Sequence, residues 1–86
     1  MDELIGHNVV VDTETPYLYI GNLTAITSQY LVLQDVDVHD RHEADVTRDE
    51  YIVETCRLGI RKNRAKTLVM KPKVVSVSKL SDILRF

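Results

Sequence analysis

Apolar and polar residues alternate with period two over much of this chain, the spacing of β-strands rather than helices. Val9-Val10-Val11 is a β-branched run, and Asn8 to Thr13 reads as the first strand. Thr13-Glu14-Thr15-Pro16 is a turn, because Pro16 cannot donate to a ladder and pushes Thr15 toward extended geometry. The second strand runs from Tyr17 to Ile26 and does not keep one phase. Tyr17 and Tyr19 alternate with Leu18 and Ile20; beyond Gly21, Leu23 and Ala25 share the parity of Tyr17, and Ile26 returns to that of Leu18. One reading is a strand buried on both faces. The other, adopted here, is a bend or bulge at Gly21, where a Cβ would obstruct a closely passing backbone. A long bent strand serves two sides of one core, as in small β-barrels.

Thr27-Ser28-Gln29 is a short polar connection of hairpin length. Strand three starts at Tyr30, with Leu31 and Leu33 on one face and then Val36 and Val38 of opposite parity, a second sign of curvature. A polar loop follows from His39 to Asp45. The period then becomes helical. Thr47 and Glu50 have capping-box spacing, and the helix is expected over Arg48 to Leu58, stopped by Gly59. Tyr51, Ile52, Thr55, Cys56 and Gly59 form its inward face, with Arg48, Glu54, Arg57 and Arg61 toward water. A basic run, Arg61 to Lys66, precedes strand four at Thr67 to Met70. Lys71-Pro72-Lys73 interrupts, and Val74 to Ser78 is strand five. At the ends, Asp2 to Ile5 reads as one helical turn closed by Gly6, with Leu4 and Ile5 inward. Leu80, Ile83 and Leu84 have the spacing of a last short helix.

Composition narrows the picture. The 86 residues are expected to form one domain, and at that size the chain hides only about 60% of its unfolded surface, so assembly would help it. There is no tryptophan and one phenylalanine, Phe86, so the core must be aliphatic. Cys56 is alone, which excludes an intrachain disulfide and a Cys-based metal site and leaves it as a small buried apolar side chain. The first residues lack a positive, then apolar leader, and no apolar run is long enough to span a membrane; a reducing cytoplasm fits. The net charge of −2 hides a polarity: eight acids against one cation through Glu43, then five acids against ten. Such asymmetry suits an anion-binding face or two surfaces that attract each other between copies.

Little here suggests catalysis. His39, Asp40, His42, Glu43 and Asp45 are grouped, but His-x-x-His on a loop is not a recognised ligand frame, and the group reads as a solvated loop. No glycine-rich phosphate loop occurs, and no sequence feature pairs Cys56 with a base. The expectation is a non-enzyme without metal or cofactor. The basic run from Arg61 to Lys66 is open between tracking a phosphate backbone and guarding the apolar strand beside it.

Five short strands, the second bent at a glycine, sum to a small SH3-like barrel. The order of its motifs resembles the Sm-like proteins, the Sm, LSm and bacterial Hfq type. Val9-Val10-Val11, then Tyr19-Ile20-Gly21-Asn22-Leu23, then Tyr30 to Asp35 match their first motif. Leu68-Val69-Met70-Lys71-Pro72-Lys73-Val74-Val75-Ser76-Val77 matches the second. The resemblance covers about two thirds of the chain and implies a mostly β fold. That fold is a five-stranded, bent antiparallel SH3-like (Sm-like) barrel with one helix inserted before strand four. It also implies a homo-oligomeric ring joined through the edges of strands four and five, with single-stranded RNA bound by two loops. Thr27, Ser28, Gln29 and Tyr30 lie at the first loop and Lys71 and Lys73 at the second, with Gln29 or Tyr30 as the stacking group. The chain departs from the family pattern at both loops: the first lacks the usual Asp and Asn, and Pro72 follows the basic Lys71 where Gly or His is usual. A second reading is therefore a ring-shaped scaffold that has lost the RNA pocket and binds protein through the inserted helix.

Overall fold

The computed structural model describes residues 1–43 and 45–84. Five strands, β1 (Asn8–Thr13), β2 (Tyr17–Ile26), β3 (Tyr30–Asp40), β4 (Arg64–Met70) and β5 (Val74–Lys79), form one antiparallel sheet in the order β4-β3-β2-β1-β5. Helix α1 (Arg48–Leu58) is inserted between β3 and β4, as the capping pattern predicts. The sheet curls so that Val9, Val11, Leu23, Leu31, Leu33, Val36 and Val69 fill one interior, with Leu4, Val74 and Val77 packed against it. This core is aliphatic. No helix of the described residues is long and apolar enough to cross a membrane.

The bend falls where the glycine is, but the register shows why. Ile20 faces Asp37 and Asn22 faces Gln34, so β3 carries one extra residue opposite Gly21. Asp35 takes a φ of 51°, the left-handed conformation that such a bulge demands. A Cβ on Gly21 would lie 3.1 Å from the Gln34 carbonyl and 3.2 Å from the Val36 Cα. The same bulge turns Val36 inward after Leu33, which accounts for the phase change in β3. In β2 the inner phase changes later than the sequence suggests. Tyr19 and Leu23 keep one parity toward the interior, and a second register shift between Leu23 and Ala25 brings Ile26 to the core.

Leu18 and Ile20 are buried for another reason. They lie on the outer face, in a second cluster with Val10 and Ile52, covered by Tyr51, Ile60, Leu80 and Ile83. The first half of β2 is thus buried on both faces because α1 roofs it, and the two alternatives for this strand both hold, one at each end. Three polar ties seat the roof. Arg48 donates to Asp12, whose other oxygen lies 3.8 Å from Arg41. The Tyr51 hydroxyl donates to the buried Asp37 carboxylate, which also accepts from Asn63 at 3.3 Å. The His39 ring stacks on Tyr51 with centroids 3.6 Å apart.

Several boundaries move. β4 begins at Arg64 rather than Thr67, because the backbone of Arg64 to Lys66 pairs with Val36 and Gln34. β3 runs on through Asp40, paired with Tyr17 and Leu18, so His39 is a strand residue and not part of a loop. Arg48 is half-exposed, as expected, and also holds Asp12. The capping box is half realised: Thr47 Oγ1 accepts the Glu50 N–H at 3.1 Å, while the Glu50 carboxylate accepts the Thr47 hydroxyl instead of a backbone N–H. At the N-terminus, Asp2–Leu4 is a 3-10 turn; Leu4 packs inward but Ile5 is exposed. The expected last helix is one 3-10 turn, Leu80–Asp82, and Leu84 is exposed. Phe86 lies outside the described residues.

Candidate nucleic-acid interface

The β2–β3 connection is held by one threonine. Thr27 Oγ1 accepts from the backbone N–H groups of Gln29 and Tyr30, at 3.2 and 3.0 Å, and the Thr27 N–H donates to the Tyr30 carbonyl at 2.9 Å. This side-chain-to-backbone closure replaces the glycine that the shortest hairpins use. Ser28 and Gln29 are left exposed at the tip, and Tyr30 is half-buried.

Lys71-Pro72-Lys73 forms a 3-10 turn between β4 and β5. Pro72 fits there because the missing N–H would have no partner in a first turn. The Lys71 N–H donates to the Gln29 carbonyl at 2.9 Å. The two loops picked from the sequence therefore meet at one end of the barrel, where β3 and β4 pair Tyr30 with Met70. Lys73 goes elsewhere. Its Nζ lies 3.2 Å from Glu14 Oε1, and its carbonyl accepts the Glu14 N–H at 2.9 Å. The structure thus groups Thr27, Ser28, Gln29, Tyr30 and Lys71, and ties Lys73 to the β1–β2 turn. Both ends of that ion pair are exposed, so the pair is weak, about 0–1 kcal/mol.

The two outer strands, β4 and β5, each pair on one side only among the described residues. Their exposed side chains include Leu68, Met70 and Val75, the last 66% exposed. An apolar edge strand with free N–H and C=O groups is a template for another chain.

Between α1 and the sheet the polar network has a measurable signature. Burial, followed by the hydrogen bond to Asp37, pushes the Tyr51 hydroxyl up from 10.0 to about 12. The fold therefore holds this proton more tightly than the unfolded chain does. Stability is fully present below pH 10 and falls as pH rises from 10 toward 12, because unfolding then releases a proton. A denaturant series across that window is expected to show the decline in the native chain and a shallower one in Tyr51→Phe. Equal slopes would mean that the fold does not hold the Tyr51 proton more tightly than the unfolded chain does.

No protein-family profile matches the sequence, and no curated protein matches it either. A solved structure does. The Sm protein of Pyrococcus abyssii, determined in complex with a uridine heptamer, superposes with a TM-score of 0.61 at 15% identity, over 91% of this chain and 89% of that one. The chain has the Sm-like fold: five antiparallel strands bent into a barrel, here with a helix before the fourth.

Proposed function

We propose that this chain assembles through its β4 and β5 edges into a homo-oligomeric ring and binds single-stranded RNA at the loop end. The observation that carries the reading is the Lys71–Gln29 backbone bond, which sets a half-buried lysine beside an exposed hairpin tip. Lys71 supplies phosphate attraction, Gln29 and Tyr30 supply stacking and base-edge contacts, and Thr27 and Ser28 shape the turn. Lys73 joins them on leaving Glu14. The uridine heptamer on the Pyrococcus abyssii protein supports an RNA ligand, and Leu68, Met70 and Val75 on the open edges support the ring. A reducing cytoplasm suits the lone Cys56.

A second reading is favoured by one observation: Lys73 is already paired, and the loop has neither Asp nor Asn. On that reading the ring is a scaffold whose inserted helix binds protein.

Titration with labelled oligo(U) and oligo(A) at two salt concentrations separates the two. RNA binding at the loop end predicts affinity that falls steeply with salt. In Lys71→Ala the affinity drops, and the slope of log K against log salt becomes shallower by about 0.7, one phosphate contact on a single strand. No binding at low salt would leave the scaffold. Light scattering tests the ring: a monomer at micromolar concentration sinks it.

A further inference from the structure

One row of side chains on the sheet's outer face is used by neither the core nor the loops. Register places Asn8 opposite Asn22, Asn22 opposite Gln34, and Gln34 opposite Lys66. Directly paired residues share a face, so three carboxamides and a lysine form one line across β1, β2, β3 and β4. At about 4.8 Å per strand the line spans about 14 Å. It lies one rung beyond Val10 and Ile20, the last outer residues roofed by α1. Two hollows of about 490 and 390 Å³ open along it and share Asn8 and Asn22 in their walls. Among the described residues Asp35 is the only carboxylate lining either, and Lys62 Nζ stands 3.7 Å from it.

The amides are oriented. Asn22 Nδ2 donates to the Gly6 carbonyl at 3.2 Å and to Asn8 Oδ1 at 3.3 Å. That spends both Asn22 amide protons and leaves Asn22 Oδ1 as an acceptor at one end of the bonded pair and the Asn8 amino group as a donor at the other. Gln34 is exposed and its amide makes no hydrogen bond among the described residues. Gln34 therefore presents acceptor and donor side by side to a nucleobase edge, which Asn and Gln read two bonds at a time, while Asn22 and Asn8 each offer a single contact. Lys66 closes the line with a phosphate-sized charge, and Lys62 and Arg64 lie beside it in the exposed basic run.

We propose that this amide row is a second single-stranded nucleic-acid tract, with Asn8, Asn22 and Gln34 on base edges and Lys66 on a phosphate. It rests on the chain being an RNA binder but not on the loop residues: five steps along the strand, about 16 Å, separate Asn22 from Thr27. The tract is short, so it lengthens the site rather than replacing the loop contacts.

The test is a salt-dependent titration of the full chain with labelled oligo(A) and oligo(U), in Gln34→Ala, Lys66→Ala and Lys71→Ala. Gln34 and Lys66 are exposed and outside both cores, and a thermal melt of each variant checks that folding is kept. Gln34→Ala is expected to weaken binding about three- to tenfold with the salt slope unchanged, the mark of a lost uncharged contact. Lys66→Ala is expected to make the slope shallower by about 0.7. If Lys71→Ala changes nothing while these two variants act, the loop reading fails and the tract stands. If only Lys71→Ala acts, the tract is overturned and the loop site stands. No binding by the native chain overturns both.

Discussion

Leu18→Ala is expected to cost about 2–5 kcal/mol, as much as a substitution inside the barrel. Leu18 is fully buried, yet it points away from the barrel interior. Its burial comes from α1, from Ile60 and from the Leu80–Ile83 segment. Alanine leaves a void between sheet and helix that neither side can close, because Arg48–Asp12 and Tyr51–Asp37 hold their separation. For a domain of this size each kcal/mol moves the melting temperature by about 4–8 °C, so the midpoint should fall by about 10 °C or more. The comparison needs equal protein concentrations, since a ring would make the midpoint depend on them. A drop no larger than that of an exposed control such as Leu84→Ala would mean that α1 does not roof the sheet.

That roof explains which parts of the fold were legible in the sequence. Strand alternation, the turn at Pro16, the threonine cap and the glycine all have local causes, and each appears at its place in the structure. The phase of Leu18 and Ile20 has no local cause. Two aliphatic residues on the outer parity look the same whether the strand flips or a later segment covers it, and only the packing of Ile52 decides. Boundaries erred for a similar reason. Arg64 to Lys66 reads as a charged connection, but strand state there is set by partners some thirty residues earlier, Gln34 and Val36. The loop site followed the same division. Its position came from the motif order. That Lys71 would be bonded to Gln29 and Lys73 drawn to Glu14 depends on how two distant turns meet. The amide row was invisible for the plainest reason: Asn8, Asn22, Gln34 and Lys66 have no spacing in common, and register alone aligns them.

Gly21→Val is expected to destabilise the chain by about 1–3 kcal/mol, against two effects that favour valine. Valine is a better strand former than glycine by up to about 1 kcal/mol, and it lowers the entropy of the unfolded chain. What opposes them is backbone. A Cβ would stand 3.1 Å from the Gln34 carbonyl oxygen and 3.2 Å from the Val36 Cα, and neither is the movable end of a side chain. The crowding comes from the extra residue of β3, since the bulge at Asp35 presses that strand toward Gly21. Relief would need the bulge to shift, and a shift would carry Val36 off the core, where it is fully buried. Gly21→Ala meets the same two atoms with a single methyl and should cost less than Gly21→Val, so the pair gives an ordered series in urea midpoints. A midpoint for Gly21→Val at or above the native value would show that the strands part freely at this rung. In that case strand preference, and not the close approach of β2 and β3, would govern residue 21, and the bend of the barrel would need another cause.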